Sequence, residues 1–419
     1  MKLDKIDPFF QKRVKNLGNK TPEEFRVIIT FDDIKKRDNF NTKNKNLENI
    51  QKLDLIPSLF LKLKKKEIIE FENEDLIKRI EEDQQLFLSI LEINTILDLN
   101  RSKNSQVSHT GRNVTIGIID DGINNTFPSI SNNIRRIRIN NDLKKSRGTQ
   151  ITHGTIMASI INNQFTDDFY TTLGVAPDAE IVDIDISNSQ QEFYFSDILR
   201  IFDIIIKQEI ELDILLISLI TKIPSDGTDI LSKACDMLVD RGILVVCSSG
   251  NYGPDPNTIG SPAAANKVIS IGSTTKALTI AHYSGRGPTI DKRLKPDFCL
   301  PGSKIEIPLS NELKTSVTGS SVSAAIGAGL IALIKEYKPH LSYNEIFDLL
   351  KNHSLDLELD KYSQGYGMPN ISAIFDGFNL IHEKIIPYDY LVKKSIKISV
   401  GFIIFFIVLF YFFYFFRIT

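Results

Sequence analysis

Residues 318–330 read TGSSVSAAIGAGL and run on into IALIKEY, so two serines stand at the head of a run of tiny residues. The pattern predicts a turn feeding a helix whose first turns pass very close to other backbone. The N-terminus of such a helix carries unpaired N–H groups and partial positive charge, which favour a serine oxygen that develops negative charge. The same serines would also serve as ordinary capping residues of a small-residue helix. Three places upstream bear on the choice. Asp120-Asp121-Gly122 follows the run VTIGII, Thr152-His153-Gly154-Thr155 opens IMASII, and Ser249-Gly250-Asn251-Tyr252-Gly253 follows ILVVCSS. Each has a structural reading, as an Asx turn, a capped helix start or a turn asparagine. Each also has a chemical one: a carboxylate, an imidazole among small residues that permit close approach, and an amide N–H aimed at a developing oxyanion.

The elements that would hold these groups can be read from 113 to about 378. Short, wholly apolar runs (VTIGII, AEIVDIDI, LDILLISL, GILVVCSS and KVISIGS) alternate with helical stretches. Runs without polar alternation are buried on both faces, which predicts an α/β fold: a mainly parallel sheet between two helical layers, a three-layer αβα domain. In such sheets functional groups gather at the carboxyl ends of strands, where the aspartate and asparagine motifs lie. Asp183 and Asp185 share one strand face and read as a solvated edge.

Asp, His, Asn and Ser arrive in that order, each in its own small-residue setting. His153 lies 33 residues after Asp120, and Ser321 lies 168 after His153 and 70 after Asn251. This resembles the subtilisin-like serine proteases, the subtilases. GVAPDAEI at 174–181, GSPAAANKVISIGS, YSGRGPT, KPDFCLPG and QGYGMPN at 364–370 resemble further stretches of that family. The resemblance covers roughly 113–378. It implies a serine endopeptidase in which Ser321 attacks the scissile carbonyl, His153 takes its proton, and Asp120 orients and stabilises the imidazolium. Asn251, with the backbone N–H of Ser321, would hold the oxyanion. Ser218, Leu219 and Ile220 would form the strand edge that pairs with an extended substrate, beside Gly250.

The chain departs from the family pattern at several positions. Asp121 stands where Thr or Ser is usual, as in kexin-like members, and Ser320 replaces the common Thr of the serine motif. Ala325 stands in place of Pro, Ile326 in place of a frequent His, and Ile220 in place of a Gly that opens the substrate cleft. The family uses no cofactor for its chemistry; structural calcium is common in it, but no ligand set is matched here. The small α+β unit predicted at 1–100 (KIDPFF, FRVIITF, a helix in EDLIKRIEEDQQL, then FLSILEI) resembles the family's propeptides, which act as folding chaperones and inhibitors. Self-cleavage is then expected within 100–111, in the polar linker 101–112.

Bulk properties fit this reading. The 419 residues allow two or three domains, and 42% hydrophobic with 24% charged residues can bury a large core. A net charge of −2 gives no electrostatic case for nucleic acid as a partner. The basic run KLKKK alternates with leucine and reads as a solvated strand face. Three cysteines without metal-ligand spacing give no disulfide framework, and Cys247 and Cys299 read as small buried hydrophobes.

The N-terminus lacks the apolar core of a secretory signal. Residues 398–416 carry no charge and, as a helix, would reach about 28 Å, enough to cross a hydrocarbon core. Lys393, Lys394 and Lys397 precede that segment and Arg417 follows it. The expectation is a single-pass C-terminal anchor after a juxtamembrane linker at 379–397, with the catalytic domain (113–378) in the cytoplasm. Two rival readings share the fold: a catalytically silent peptide-binding module and a transpeptidase.

Overall fold

The computed structural model describes residues 5–8, 10–11, 14, 24–44, 47, 50–88, 109–130, 134–138, 150–166, 171–188, 192–310 and 313–376. The segments 379–397 and 398–416, and all of the linker before residue 109, lie outside them. Among the described residues no helix is long and apolar enough to cross a membrane.

The N-terminal unit is a four-stranded antiparallel sheet. It comprises β1 (Glu24–Phe31), β2 (Gln51–Leu53), β3 (Ser58–Lys64) and β4 (Ile77–Glu82), in the order β2-β3-β1-β4. Helices α1 (Ile34–Lys43) and α2 (Lys65–Phe71) complete it, α1 starting where the Asp33 carboxylate accepts from the Lys36 N–H. One face of the sheet, Phe31 included, packs on Phe40 of α1 and Ile68 of α2. β4 corrects the expected helix. Ile77 and Ile80, three apart, mimic helical spacing, but β1 offers an open edge and takes Ile80 opposite Ile29 and Glu81 opposite Ile28. Of the basic run, Lys62 and Lys64 are exposed on β3 as expected, while Lys65 and Lys66 begin α2.

From Gln85 the chain passes to the larger domain. β5 (Gln85–Leu88) leaves the first sheet and joins another, described below. The core of the domain is a seven-stranded parallel sheet. Its strands are β6 (Thr115–Asp120), β7 (Ile134–Arg138), β8 (Glu180–Asp185), β10 (Ile214–Ile217), β12 (Leu244–Ser248), β13 (Ile269–Thr274) and β14 (Phe298–Pro301). The order is β14-β13-β12-β10-β6-β8-β7. Two short strands, β9 (Phe193–Tyr194) and β11 (Leu219–Ile220), stand apart from this sheet and flank β5.

Strand alternation divides the interior into two cores. Ile116, Ile118, Leu216 and Val246 face α3 (His153–Asn162) and α6 (Ser320–Tyr337). Ile119, Leu215, Ile217 and Val245 face α4 (Phe195–Lys207) and α5 (Ile230–Val239). The expected three layers follow from this division. Asp183 and Asp185 are a correction: both are buried, and Asp183 pairs with Arg136 of the neighbouring β7 and accepts from the Ile123 N–H. All three cysteines are buried and free.

The two units meet on the outer side of α4 and α5. Ile28, Leu53 and Phe60 of the N-terminal sheet join the core that those helices form. Glu81 accepts from the Ile230 N–H at the start of α5, and Asp83 accepts from the N–H and hydroxyl of Ser196 at the start of α4. In the other direction, Asp203 of α4 accepts from the Asp54 and Leu55 N–H groups. Carboxylates at helix N-termini satisfy N–H groups that have no intrahelical partner.

Candidate active site

Asp120 is the last residue of β6 and, by alternation, points to the same side as Ile116 and Ile118, where α3 and α6 lie. α3 comes very close to this strand end. A Cβ on Gly154 would lie 2.8 Å from the Gly122 carbonyl oxygen and 3.2 Å from the Asp120 Cβ, so only glycine allows the approach. Thr152 caps the helix, accepting from the Thr155 N–H and donating to the Gly122 carbonyl. His153, at the first helical position, is thereby set over Asp120.

α6 supplies the serine. Gly329 passes Val175, and Gly327 passes Ile271, at distances where an added Cβ would meet those side chains at 2.7 and 3.2 Å. The small residues noted in the sequence therefore serve close packing of the helix against its neighbours. Ser321 sits in its first turn, where backbone N–H groups lack intrahelical acceptors.

These elements bring three distant residues into one hydrogen-bonded line. Asp120 oxygens lie 2.7 and 2.9 Å from His153 Nδ1, and His153 Nε2 lies 3.0 Å from Ser321 Oγ. All three are buried, at 1%, 4% and 1% exposure. Burial disfavours the imidazolium, but the Asp120 charge and hydrogen bond, with the Asp121 charge, outweigh it and raise the His153 pKa above its ordinary value. The arrangement suits a base that takes the Ser321 proton through Nε2 while Asp120 holds Nδ1–H.

Asn251 lies in the loop after β12. Its Oδ1 accepts from the Ser320 N–H at 2.9 Å, which ties the loop to the start of α6. Its Nδ2 is buried and has no hydrogen-bond partner among the described residues. A buried amide donor left unpaired is costly unless something fills it, as a developing oxyanion would. Gly250 precedes it with φ +94°, backbone that favours glycine.

Ser218, Leu219 and Ile220 are buried, and β5 lies along Leu219 and Ile220. β5 forms the middle of a three-stranded antiparallel sheet, pairing Phe87 with Ile220 and Leu88 with Leu219 on one side and Leu86 with Phe193 on the other. The segment of the N-terminal unit thus occupies the strand position expected of an extended substrate.

Asp121, noted in the sequence only as a departure from the family pattern, has a part in the site. The Asp121 carboxylate accepts from the backbone N–H of His153 at 3.2 Å and of Gly154 at 2.8 Å, a fork over the first two amides of α3. Burial and the Asp120 charge push its pKa up to about 7. The paired acids at the strand end were visible in the sequence, but nothing local said that a helix start 32 residues on would meet the second.

Comparison with known proteins agrees with the geometry. Residues 111–368 match the model of the subtilase family. Among curated proteins, the chain is 27% identical over 293 residues to serine protease AprX of Bacillus subtilis, covering 63% of this chain and 66% of that protein. It is 28% identical to the major intracellular serine protease of the same organism, covering 63% of this chain and 82% of that protein. It is also 28% identical to subtilisin DY of Bacillus licheniformis, over 63% of this chain and 92% of that protein. The chain thus spans just under two thirds of AprX.

In fold it is similar to fervidolysin of Fervidobacterium pennivorans, a keratinolytic enzyme related to subtilisin, with a TM-score of 0.67 at 17% identity. That match covers 89% of this chain and 63% of the other. With more than half of its length matched and its Asp, His and Ser within hydrogen-bonding distance, the chain belongs to the subtilase family of serine endopeptidases.

Proposed function

We propose that the protein hydrolyses peptide bonds of protein or peptide substrates through an acyl-enzyme. Ser321 Oγ attacks the scissile carbonyl carbon as its proton passes to His153 Nε2, and Asp120 stabilises the imidazolium. The oxyanion is held by Asn251 Nδ2 and the Ser321 backbone N–H. His153 then protonates the leaving amine, and a water activated by the same imidazole releases the acyl group. Side chains and backbone carry this chemistry without a cofactor, and nucleic acid has no part in it.

The observation that carries the reading is the unbroken line Asp120–His153–Ser321 beside an Asn251 Nδ2 that has no partner among the described residues. The test is labelling of the purified protein by a fluorophosphonate probe, with Ser321→Ala as control. Labelling lost in the control is the expected result. Equal labelling of both proteins counts against Ser321 as the nucleophile, and labelling of neither, even with the N-terminal unit removed, favours a silent peptide-binding module.

The N-terminal unit is read as an inhibitory prodomain, because its β5 lies on Leu219 and Ile220 and its acids engage α4 and α5. Self-cleavage in 100–111 would sever it, and mass spectrometry showing only intact chain in active preparations would reject that. Attachment to a membrane by 398–416, with the catalytic domain in the cytoplasm, rests on the uncharged segment and its flanking lysines. Digestion of the catalytic domain from outside intact cells would reject the orientation.

A further inference from the structure

The path of an extended chain through the site is drawn by β5, which runs antiparallel to β11 with Phe87 opposite Ile220 and Leu88 opposite Leu219. The register places Ser218 opposite the next residue of any chain that follows this path. In the parallel sheet Ile217, the last paired residue of β10, is level with Ile119 and with Cys247, and the next residues of those strands, Asp120 and Ser248, lead to the triad and to the Asn251 loop. The peptide residue opposite Ser218 therefore donates the carbonyl that Ser321 attacks.

Residues directly opposite in an antiparallel pair share a face, and so do residues two apart on one strand. The side chain of that peptide residue must point to the face that Ser218 shares with Ile220. On this face Gly250 and Gly260 stand without side chains, but the space is not open. A Cβ on Gly250 would lie 3.2 Å from Ile220 Cδ1 and 3.4 Å from its Cγ2, and a Cβ on Gly260 would lie 3.1 Å from Ile220 Cγ1. The side chain of Ile220, itself 1% exposed, turns its two methyl groups to Gly250 and its Cγ1 methylene to Gly260, where the carbonyl and hydroxyl of Thr221 lie closer still. Packed interiors do not yield such volume without displacing backbone or side chains.

Building on the endopeptidase reading, we propose that Ile220 sets the specificity of cleavage by filling the pocket next to Asn251. Bonds that follow Gly, Ala or Ser are accepted, and bonds that follow Leu, Phe or Tyr are refused.

The test digests a proteome-derived peptide library with the full chain, and with a full chain carrying Glu81→Arg and Asp83→Arg to loosen the N-terminal unit. Cleavage sites are read by mass spectrometry, and fluorophosphonate labelling is followed in parallel. The expected result is a preference of about 10²-fold for Gly, Ala and Ser over Leu, Phe and Tyr on the acyl side. Ile220→Gly, and to a lesser degree the milder Ile220→Ala, should extend cleavage to the larger residues. Labelled protein that retains Ile220 and cuts as readily after Phe or Leu overturns the specificity while leaving the endopeptidase reading intact. Absence of labelling in both chains overturns that reading, and the specificity falls with it.

Discussion

The carboxylate of Asp121 grips the backbone of His153 rather than its ring, accepting from the His153 N–H and from that of Gly154 beside it. Asp120 orients the imidazole from one side while its sequence neighbour fixes the helix turn that carries it. The same carboxylate places a second negative charge near the ring and helps raise the His153 pKa. Asp121→Asn keeps one acceptor but loses the charge and forces an amide N–H towards a backbone N–H. The turnover number should fall by roughly tenfold, short of the ~10²-fold cost of a misplaced catalytic group. With less negative charge nearby the imidazolium is less favoured, so the acid limb of the pH–rate profile should move to lower pH. A variant that melts earlier but keeps the wild-type limb would assign Asp121 a purely structural part.

Asn251 divides its amide between two tasks. Oδ1 accepts from Ser320, and Nδ2 has no partner among the described residues until an oxyanion forms. Asn251→Ala should lower the turnover number by about 10²–10³, a magnitude taken from subtilisin rather than from this chain. The Michaelis constant should change little, because the lost interaction belongs to the transition state. Stopped-flow or steady-state kinetics on one peptide separates the two constants, and a loss confined to the Michaelis constant would remove Asn251 from the oxyanion site.

Gly154 is where packing and catalysis meet. In Gly154→Ala the new methyl would press on the Gly122 carbonyl at 2.8 Å and on the Asp120 Cβ at 3.2 Å. Either α3 lifts from the strand end or Asp120 gives way, and both lengthen the Asp120–His153 contact. We expect a loss of about 1–3 kcal/mol in stability together with a fall in activity larger than the unfolded fraction explains. Thermal melts and active-site titration on one sample would distinguish that from simple unfolding.

Five strands of the central sheet could be read from the sequence because each is buried on both faces and so mainly apolar, the two aspartates of β8 apart. Two could not. β7 reads IRRIR because it lies at the sheet edge with Arg135 exposed, and β14 is only FCLP. Asp183 looked solvated because its counter-charge, Arg136, comes from that unread neighbour. The triad was legible through its small-residue surroundings, which mark backbone that must come close. Asp121, Glu81 and Asp83 act on helix starts far along the chain, and no local pattern specifies such a partner. Glu81 and Asp83 in particular fall in the segment that reads as a helix.

Those last two acids make the hold of the N-terminal unit depend on pH. Burial pushes Glu81 up to about 7, against the pull of Arg79, with Asp229 raising it further and Lys233 and the Ile230 N–H opposing. It pushes Asp83 up to about 6, against Arg26 and the Ser196 donors. When the unit lifts away both carboxyls meet water and return to the ordinary range near 4. Their pKa values are thus higher in the attached state, so attachment takes up protons. The hold is strongest at low pH and weakens as pH rises through about 6 to 7. Amide hydrogen exchange at Ser196 and Ile230, corrected for intrinsic rates, should report more frequent opening at pH 8 than at pH 5. Glu81→Gln keeps a carbonyl oxygen for the Ile230 N–H and removes the titrating charge, so its opening should change less with pH. Opening that is equal at the two pH values, or greater at pH 5, would mean that the helix starts and arginines hold these carboxylates ionised in spite of burial.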